Sequence, residues 1–149
     1  MRAVEASGSR IELRVRYAET DQMGRAHHME YLAWFELGRT ELLRSAGVAY
    51  SEIEKRGVML PVSAVEVGYF KGASYDELVG IQTWVSEVRS RTVTFSYVAT
   101  RAADSQVLAT GTTRLVCTDS QGKPMRIPED VVEVLRALAD AAPTDAPDA

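Results

Sequence analysis

An amphipathic helix in the first third of the chain constrains the fold more than any other feature of the sequence. Between Met29 and Ala46 apolar residues recur at helical spacing, and Gly47 stands where a helix C-cap is expected; the recurring residues are Leu32, Phe35, Leu42, Leu43 and Ala46. A helix of about five turns can lie across a whole sheet. Gly38 costs roughly 1 kcal/mol relative to alanine at this position, which indicates that another element packs closely there.

The segments around this helix alternate like β-strands. In RIELRVRY, residues 10–17, apolar side chains alternate with charged ones, which predicts a half-buried strand. Four more strand-like segments follow the helix: LPVSAVEVGYF, DELVGIQTWVSEV, RTVTFSYVATRA and QVLATGTTRLVCTD. Because the turns between them are short, we expect consecutive strands to form antiparallel hairpins. VAYSEIEKRG predicts a short helix, and PEDVVEVLRALADAA predicts an amphipathic helix at the end of the domain.

This order of elements predicts an α+β fold, with one antiparallel sheet of about five strands and the long helix laid on it. We expect a single domain over residues 10–141 and disordered tails at 1–9 and 142–149, where small residues and proline occur without periodicity. One helix covers only one face of such a sheet and leaves both edges unpaired. We therefore expect a homodimer, or a tetramer built as a dimer of dimers.

Charge and cysteine content exclude several classes of protein. The formal net charge is −4 and the basic residues are spread along the chain, so no basic field is available for nucleic acid. Cys117 is the only cysteine, which excludes an intrachain disulfide and a cysteine-rich zinc site. The N-terminus lacks the apolar core of a signal peptide, and no apolar run approaches the ~20 residues of a membrane span. We expect a cytoplasmic protein without a metal site.

The junction between the first strand and the long helix, ETDQMGRAHHMEY at residues 19–31, concentrates polar groups. A helix N-terminus presents free backbone N–H groups and a positive partial charge, which can polarise a carbonyl. Asp21 precedes these donors, and Gly24 lets the loop turn tightly or approach a ligand closely. A carboxylate facing such donors can attack an acyl carbon or activate water.

The same stretch also has an ordinary structural interpretation. Aspartate favours turns and helix caps, and on spacing alone a turn role for Asp21 is the more frequent one. Neighbouring residues on a helix or strand point in different directions, so we expect only one of His27 and His28 to face a site. Glu19 and His27 are expected at the surface.

Three ordered segments carry a resemblance to a known family: RYAETDQMGRAHHMEYLAWFELGRTELL, LPVSAVEVGYFKGASYDELVGIQTWV and ATGTTRLVCTDSQGKPMRIP. Over about residues 12–130 the chain resembles the hotdog-fold acyl-CoA thioesterases of the 4-hydroxybenzoyl-CoA thioesterase type, including YbgC and FadM-like proteins. The resemblance implies the hotdog fold, an antiparallel sheet wrapped around one long helix, with active sites at a dimer interface. It implies hydrolysis of an acyl-CoA, less readily of an acyl carrier protein thioester, with no cofactor because coenzyme A belongs to the substrate.

Three residues match the family's catalytic pattern. Asp21 matches the catalytic carboxylate, which acts as nucleophile or as general base, and Tyr17 matches the tyrosine at the end of the first strand. His28 matches the histidine of the family's Tyr-His pair, whose backbone N–H polarises the thioester carbonyl. The chain departs from the pattern at His27 in place of tyrosine, Glu30 in place of asparagine, and Gly72-Ala73 in place of Pro-Ala. These departures concern the preferred substrate more than the reaction.

Further candidate contacts are less specific. Glu36 lies about 12 Å along the helix from His28, so as a second carboxylate it can serve only a neighbouring subunit's site, and we interpret it as a structural or interface partner of Arg39. Arg89 and Arg91 stand at a tight turn suited to holding phosphates, although a solvated turn arginine is the commoner case. The candidates for lining an acyl cavity are Met59, Leu60, Pro61 and Val62, although apolar residues at the start of a strand more often belong to the core.

Two other functions stay open at this point. A hotdog hydratase or dehydratase also uses an acid and a histidine on a long helix, but its Asp-x-Asn-Pro-x-x-His pattern differs from the Gln22-Met23-Gly24 that follows Asp21. A hotdog module that binds acyl-CoA without turnover is the third candidate. The presence of Asp21 and the lack of a DNA-binding segment argue against it.

Overall fold

The computed structural model describes residues 9–144, which form five strands and three helices. The predicted tails lie mostly outside these residues. The elements are β1 (Ser9–Arg14), a 3₁₀ turn (Tyr17–Glu19), α1 (Glu30–Ser45), α2 (Tyr50–Lys55), β2 (Val62–Tyr69), β3 (Leu78–Val88), β4 (Thr92–Arg101), β5 (Val107–Val116) and α3 (Glu129–Asp140). The two main helices, the short second helix and all five strands were predicted from periodicity.

The five strands form one antiparallel sheet in the order β1-β3-β4-β5-β2. The expected hairpins are confirmed for β3–β4 and β4–β5, but the expectation is wrong for β2 and β3, which are separated by two other strands. The reason lies in the connecting segment. Phe70 and Lys71 still donate to the Leu108 carbonyl of β5, and Ala73 then accepts from the Ala26 N–H. The segment is a crossover past the loop before α1, not a turn.

Helix α1 packs its apolar side on the sheet. Tyr31, Trp34, Phe35, Leu42 and Leu43 are buried, and the Phe35 ring stacks on Tyr97 of β4 with centroids 4.5 Å apart. Leu32, part of the predicted apolar stripe, is instead exposed. The close approach predicted at Gly38 is confirmed, because a Cβ there would overlap the Thr83 hydroxyl of β3.

The first strand is shorter than predicted. Ile11 and Val15 are buried, but β1 ends at Arg14, and Tyr17 begins the 3₁₀ turn with 77% of its surface exposed. The cause is a local hydrogen bond, in which the Arg16 N–H donates to Oε1 of Glu19 at 2.7 Å and bends the backbone out of the extended conformation. Tyr17 therefore does not continue the alternation.

The last helix and the segment before it close the core. Helix α3 buries Val131, Val132 and Leu135, so one side of this amphipathic helix packs on the core. Cys117 follows β5 and is fully buried, and burial raises the pKa of its thiol. In the stretch from residue 9 to residue 144, no helix combines the length and apolar character needed to cross a membrane.

Candidate active site

The loop before α1 is organised by the side chain of Asp21. Its Oδ1 accepts hydrogen bonds from the N–H groups of Met23 at 2.9 Å and Arg25 at 3.3 Å. The Gly24 N–H donates to the Asp21 carbonyl at 3.0 Å, and Gly24 has a φ of 76°, in the left-handed region that favours glycine. Asp21 is thus a turn residue, yet its second oxygen, Oδ2, has no hydrogen-bond partner within residues 9–144.

Asp21 lines an open cleft of about 340 Å³ at the N-terminal end of α1. The walls come from three parts of the chain, namely the Asp21 loop, the start of α1, and the end of β2 with the crossover that follows it. The other lining residues are Met23, Arg25, Ala26, His28, Tyr31, Tyr69, Phe70, Lys71 and Gly72. The fold therefore brings Asp21 and His28 to one cleft, while Gly24 shapes the turn beside it.

His28 lines this cleft, and its backbone is bonded to another residue of the cleft wall. Its carbonyl accepts a hydrogen bond from the Tyr69 hydroxyl at 2.7 Å, which fixes the peptide on that side. Across the described part of the chain no group accepts from the His28 N–H, which lies two residues before α1 begins. Burial raises the pKa of Tyr69, so this hydroxyl stays protonated as a donor. Among the described residues, the His28 N–H is therefore a backbone donor without an acceptor.

The two histidines do not diverge as predicted. Their rings stack with centroids 4.3 Å apart, and Nδ1 of His27 accepts from the Met29 N–H at 3.2 Å. Both residues lie in the loop before α1, where the alternation of a strand or the rotation of a helix does not apply, but the cleft lining agrees with the prediction that only one of them faces a site. Only His28 lines the cleft.

Glu19 was predicted at the surface, and this was wrong: it is 5% exposed. One carboxylate oxygen accepts from the Arg16 N–H and the other accepts from the Trp34 indole N–H of α1 at 2.9 Å. Burial acts to raise the pKa of Glu19, but these hydrogen bonds and the Arg16 guanidinium outweigh it and leave the pKa below its ordinary value. Glu19 also accepts from the His27 N–H through its carbonyl, so it ties the Asp21 loop to α1.

Five predicted site residues lie outside the cleft of their own chain. Arg89 and Arg91 stand at the far end of the β3–β4 hairpin, about 33 Å along β3 from Leu78, and Arg89 pairs with Glu87 at 3.0 Å. The residues Pro61 and Val62 are exposed at the end of β2 opposite to Tyr69. Tyr17 contacts Tyr75 edge to face with centroids 5.5 Å apart and does not line the cleft either.

Glu36 lines a second groove, of about 360 Å³, together with Arg39, Thr40, Tyr50, Glu54 and Leu60. The predicted partnership is confirmed, since Oε2 of Glu36 lies 3.8 Å from Arg39. Arg39 is buried and donates to the hydroxyls of Tyr50 and Tyr97, both at 3.1 Å. Within residues 9–144, no three His, Cys, Asp or Glu side chains are grouped to hold a metal ion.

Comparison with known proteins shows the family of this chain. Residues 15–135 match the thioesterase-like superfamily. The chain belongs to this superfamily. It is similar to YneP of Bacillus subtilis, with 37% identity over 79% of this chain and 86% of YneP. It is similar to the acyl-CoA thioesterase YbgC of Haemophilus influenzae, with 31% identity over 84% of this chain and 92% of YbgC.

A solved structure agrees with these relatives. The DHNA-CoA thioesterase of Staphylococcus aureus is 32% identical and superposes with a TM-score of 0.84, over 89% of this chain and 91% of that one. The expected family, the hotdog fold and the class of enzyme, a thioester hydrolase, are confirmed.

Proposed function

We propose that the protein hydrolyses the thioester of an acyl-CoA to a free acid and coenzyme A, with Asp21 as the reacting carboxylate. The observation that carries this proposal is that Asp21 and His28 line one cleft, while Oδ2 of Asp21 and the backbone N–H of His28 each lack a hydrogen-bond partner within residues 9–144. The names of the relative YbgC and of the Staphylococcus aureus structure, both thioesterases of coenzyme A thioesters, support the substrate class. An acyl carrier protein thioester is the alternative substrate.

The chemistry follows from this pairing. The His28 N–H, near the positive end of α1, donates to the thioester carbonyl and stabilises the oxyanion as the carbonyl carbon is attacked. Either Asp21 attacks, forming a mixed anhydride as the coenzyme A thiolate leaves, or Asp21 takes a proton from the water that attacks. Water cleaves the anhydride in the first route, and both routes give acid and thiol. No cofactor is required by either route.

A second copy of the chain is the partner we propose. β2 is an edge strand, and it exposes Val62 and Val65, with Tyr69 and Phe70 exposed at its end. Antiparallel pairing of two β2 strands would cover these side chains and remove two open sheet edges. It would also bring Pro61 and Val62 of the partner subunit towards Tyr69, and so towards the Asp21 cleft. The roles predicted for Pro61, Val62 and Glu36 therefore depend on the dimer.

The test is release of free thiol from a panel of short, long and aromatic acyl-CoA substrates by wild type and Asp21→Asn. Asparagine keeps the Oδ1 acceptor used by Met23 and Arg25, so the turn is preserved while the carboxylate is lost. We expect kcat to fall at least about 100-fold. Near-full hydrolysis by folded Asp21→Asn protein would refute the assignment.

The chain contains a matched control for this variant. Oδ1 of Asp119 accepts from the N–H groups of Gln121 at 2.9 Å and Lys123 at 3.0 Å, and Gly122 has a φ of 84°. Asp119→Asn makes the same chemical change in the same kind of turn, and Asp119 does not line the cleft. This variant is expected to keep wild-type kcat. Formation of a 3-hydroxyacyl-CoA from an enoyl-CoA without thiol release would instead favour the hydratase.

A further inference from the structure

We infer that Arg25 and Lys71 form a phosphate-binding subsite at the mouth of the Asp21 cleft. Both side chains line the cleft and both are exposed. The inference rests on the proposed function, because the phosphate is that of the coenzyme A arm of the substrate. The inference adds these two residues to the phosphate contacts predicted for Arg89 and Arg91, which lie outside the cleft of their own chain.

The charge of the two residues is not neutralised by the protein. From residue 9 to residue 144, no carboxylate lies within 4 Å of either cation. Arg101 is a useful contrast, because it also reaches the crossover, donating to the Gly72 carbonyl, but it pairs with both Glu77 and Asp104. Asp21 is the only carboxylate among the residues that line the cleft. The mouth of the cleft is therefore a local positive patch on a chain whose net charge is −4.

The guanidinium of Arg25 is held in place by its neighbours. Its Nη1 donates to Oγ of Ser74 at 2.6 Å, and its stem lies on Gly72. A Cβ at position 72 would come within 2.8 Å of Cδ and 3.2 Å of Nε of Arg25, so the space for this stem exists because residue 72 has no side chain. The absence of a side chain at Gly72 and the placement of Arg25 thus belong together.

Phosphate is the group that suits this pair of cations. Arg25 uses one of its five N–H donors on Ser74, which leaves a planar fork for phosphate oxygens, and Lys71 adds a point charge beside it. The exposed position suits the leaving-group arm, which extends to solvent, better than the acyl group, which must be kept from water. A phosphate can come from the phosphopantetheine arm or from the nucleotide of coenzyme A.

Steady-state kinetics with three thioesters of one acyl group tests this subsite. The three substrates are the acyl-CoA, the acyl-4′-phosphopantetheine and the acyl-pantetheine, which has no phosphate. For Arg25→Gln and Lys71→Gln we expect KM for acyl-CoA to rise about fivefold each, with kcat within about twofold. The KM for acyl-pantetheine should not change. A KM rise with acyl-4′-phosphopantetheine places the contact at the pantetheine phosphate, and a rise with acyl-CoA alone places it at the nucleotide.

Two further variants make the experiment specific. Lys123→Gln removes the cation at the equivalent position of the Asp119 turn and should leave every KM unchanged. Gly72→Ala should displace Arg25 and raise KM for acyl-CoA by about as much as Arg25→Gln does. An equal rise of KM for acyl-pantetheine, or an unchanged KM for acyl-CoA, would overturn the subsite.

Direct binding separates this inference from the proposed function. If wild type hydrolyses none of the three thioesters, the proposed function fails. Calorimetric titration with coenzyme A itself then still tests the subsite, because Arg25→Gln with Lys71→Gln should weaken binding about 20-fold and make it less sensitive to salt. Equal affinity of wild type and double variant would overturn the subsite on its own.

Discussion

The Asp21 turn and the Asp119 turn have the same hydrogen bonds but lie at opposite ends of the sheet. DQMGR and DSQGK each place an aspartate whose Oδ1 accepts two backbone N–H groups, and a glycine at positive φ in fourth position. The differences are in the surroundings. The Asp21 turn leads into α1 and faces a cleft, whereas the Asp119 turn follows the far end of β5. Turn geometry alone therefore does not distinguish a candidate catalytic aspartate from a structural one.

A second difference between the two turns is that Glu19 ties the Asp21 loop to α1, because it accepts hydrogen bonds from the Trp34 indole N–H and the His27 N–H. Glu19→Gln should lower kcat about tenfold with little change in KM, because the Asp21 loop loses its fixed position relative to α1. It should also reduce the free energy of unfolding by about 1–3 kcal/mol, because one buried donor loses its acceptor. Thiol-release kinetics and urea unfolding measure the two effects, and Glu52→Gln, on the exposed face of α2, is the control. A loss of stability with unchanged kcat would make Glu19 structural only.

The pH dependence of this stability difference has a definite sign. The pKa of Glu19 is lowered by folding, so its contribution to stability is complete above the unfolded value of 4.5 and is lost as the pH falls through the lower folded value. The gap in unfolding free energy between wild type and Glu19→Gln should therefore close in acid. Urea unfolding from pH 7 down to pH 3 measures it, and a gap that is independent of pH would contradict the assignment.

The glycines of the two turns give a smaller effect that sharpens the comparison. Gly24→Ala and Gly122→Ala each force a side chain into the left-handed region, and each should cost about 1 kcal/mol of stability. Neither position is crowded, since a Cβ would have no neighbour within 4 Å at either one. Only Gly24→Ala should reduce kcat, by about threefold. Equal kinetics of the two variants would indicate that the Asp21 turn tolerates strain without loss of function.

Glu36→Gln is expected to have the smallest effect. Its exposed carboxylate belongs to the second groove and lies 3.8 Å from the buried Arg39. Arg39 also donates to the hydroxyls of Tyr50 and Tyr97, so the loss of this one carboxylate should cost little stability. We expect kcat within about twofold of wild type in the thiol-release assay. A loss comparable to that of Asp21→Asn would mean that Glu36 acts in catalysis in the dimer, and that the cleft described here is only part of the site.

The periodicity of the sequence was sufficient to predict the helices and strands, and it placed the candidate site at the start of α1. The helix of residues 30–45 and the strands were predictable because each has a local pattern of apolar residues. The close contact at Gly38 was predictable because a glycine inside a helix destabilises it unless another element packs closely there. The placement of Asp21 and His28 at one helix N-terminus was predictable because both are close in the chain.

Features set by distant contacts were not predictable in this way. Pairing of β2 with β5 depends on hydrogen bonds of Phe70 and Lys71 that no local pattern reveals. The burial of Glu19 depends on Trp34, fifteen residues away, although a buried indole N–H needs an acceptor and could have drawn attention to it. Arg89 was predicted from its turn alone, and whether this turn meets a cleft depends on the path of the whole sheet and on the proposed dimer.

The buried thiol of Cys117 has a practical consequence for kinetics. Its side chain is buried and burial raises the pKa of the thiol, so in the native protein Cys117 should react slowly with a disulfide reagent at neutral pH. In a thiol-release assay such a reagent reports coenzyme A and not the enzyme. In the absence of substrate, the rate at which Cys117 is labelled instead measures how often the native structure opens. The same reagent therefore reports the opening of the protein in each preparation.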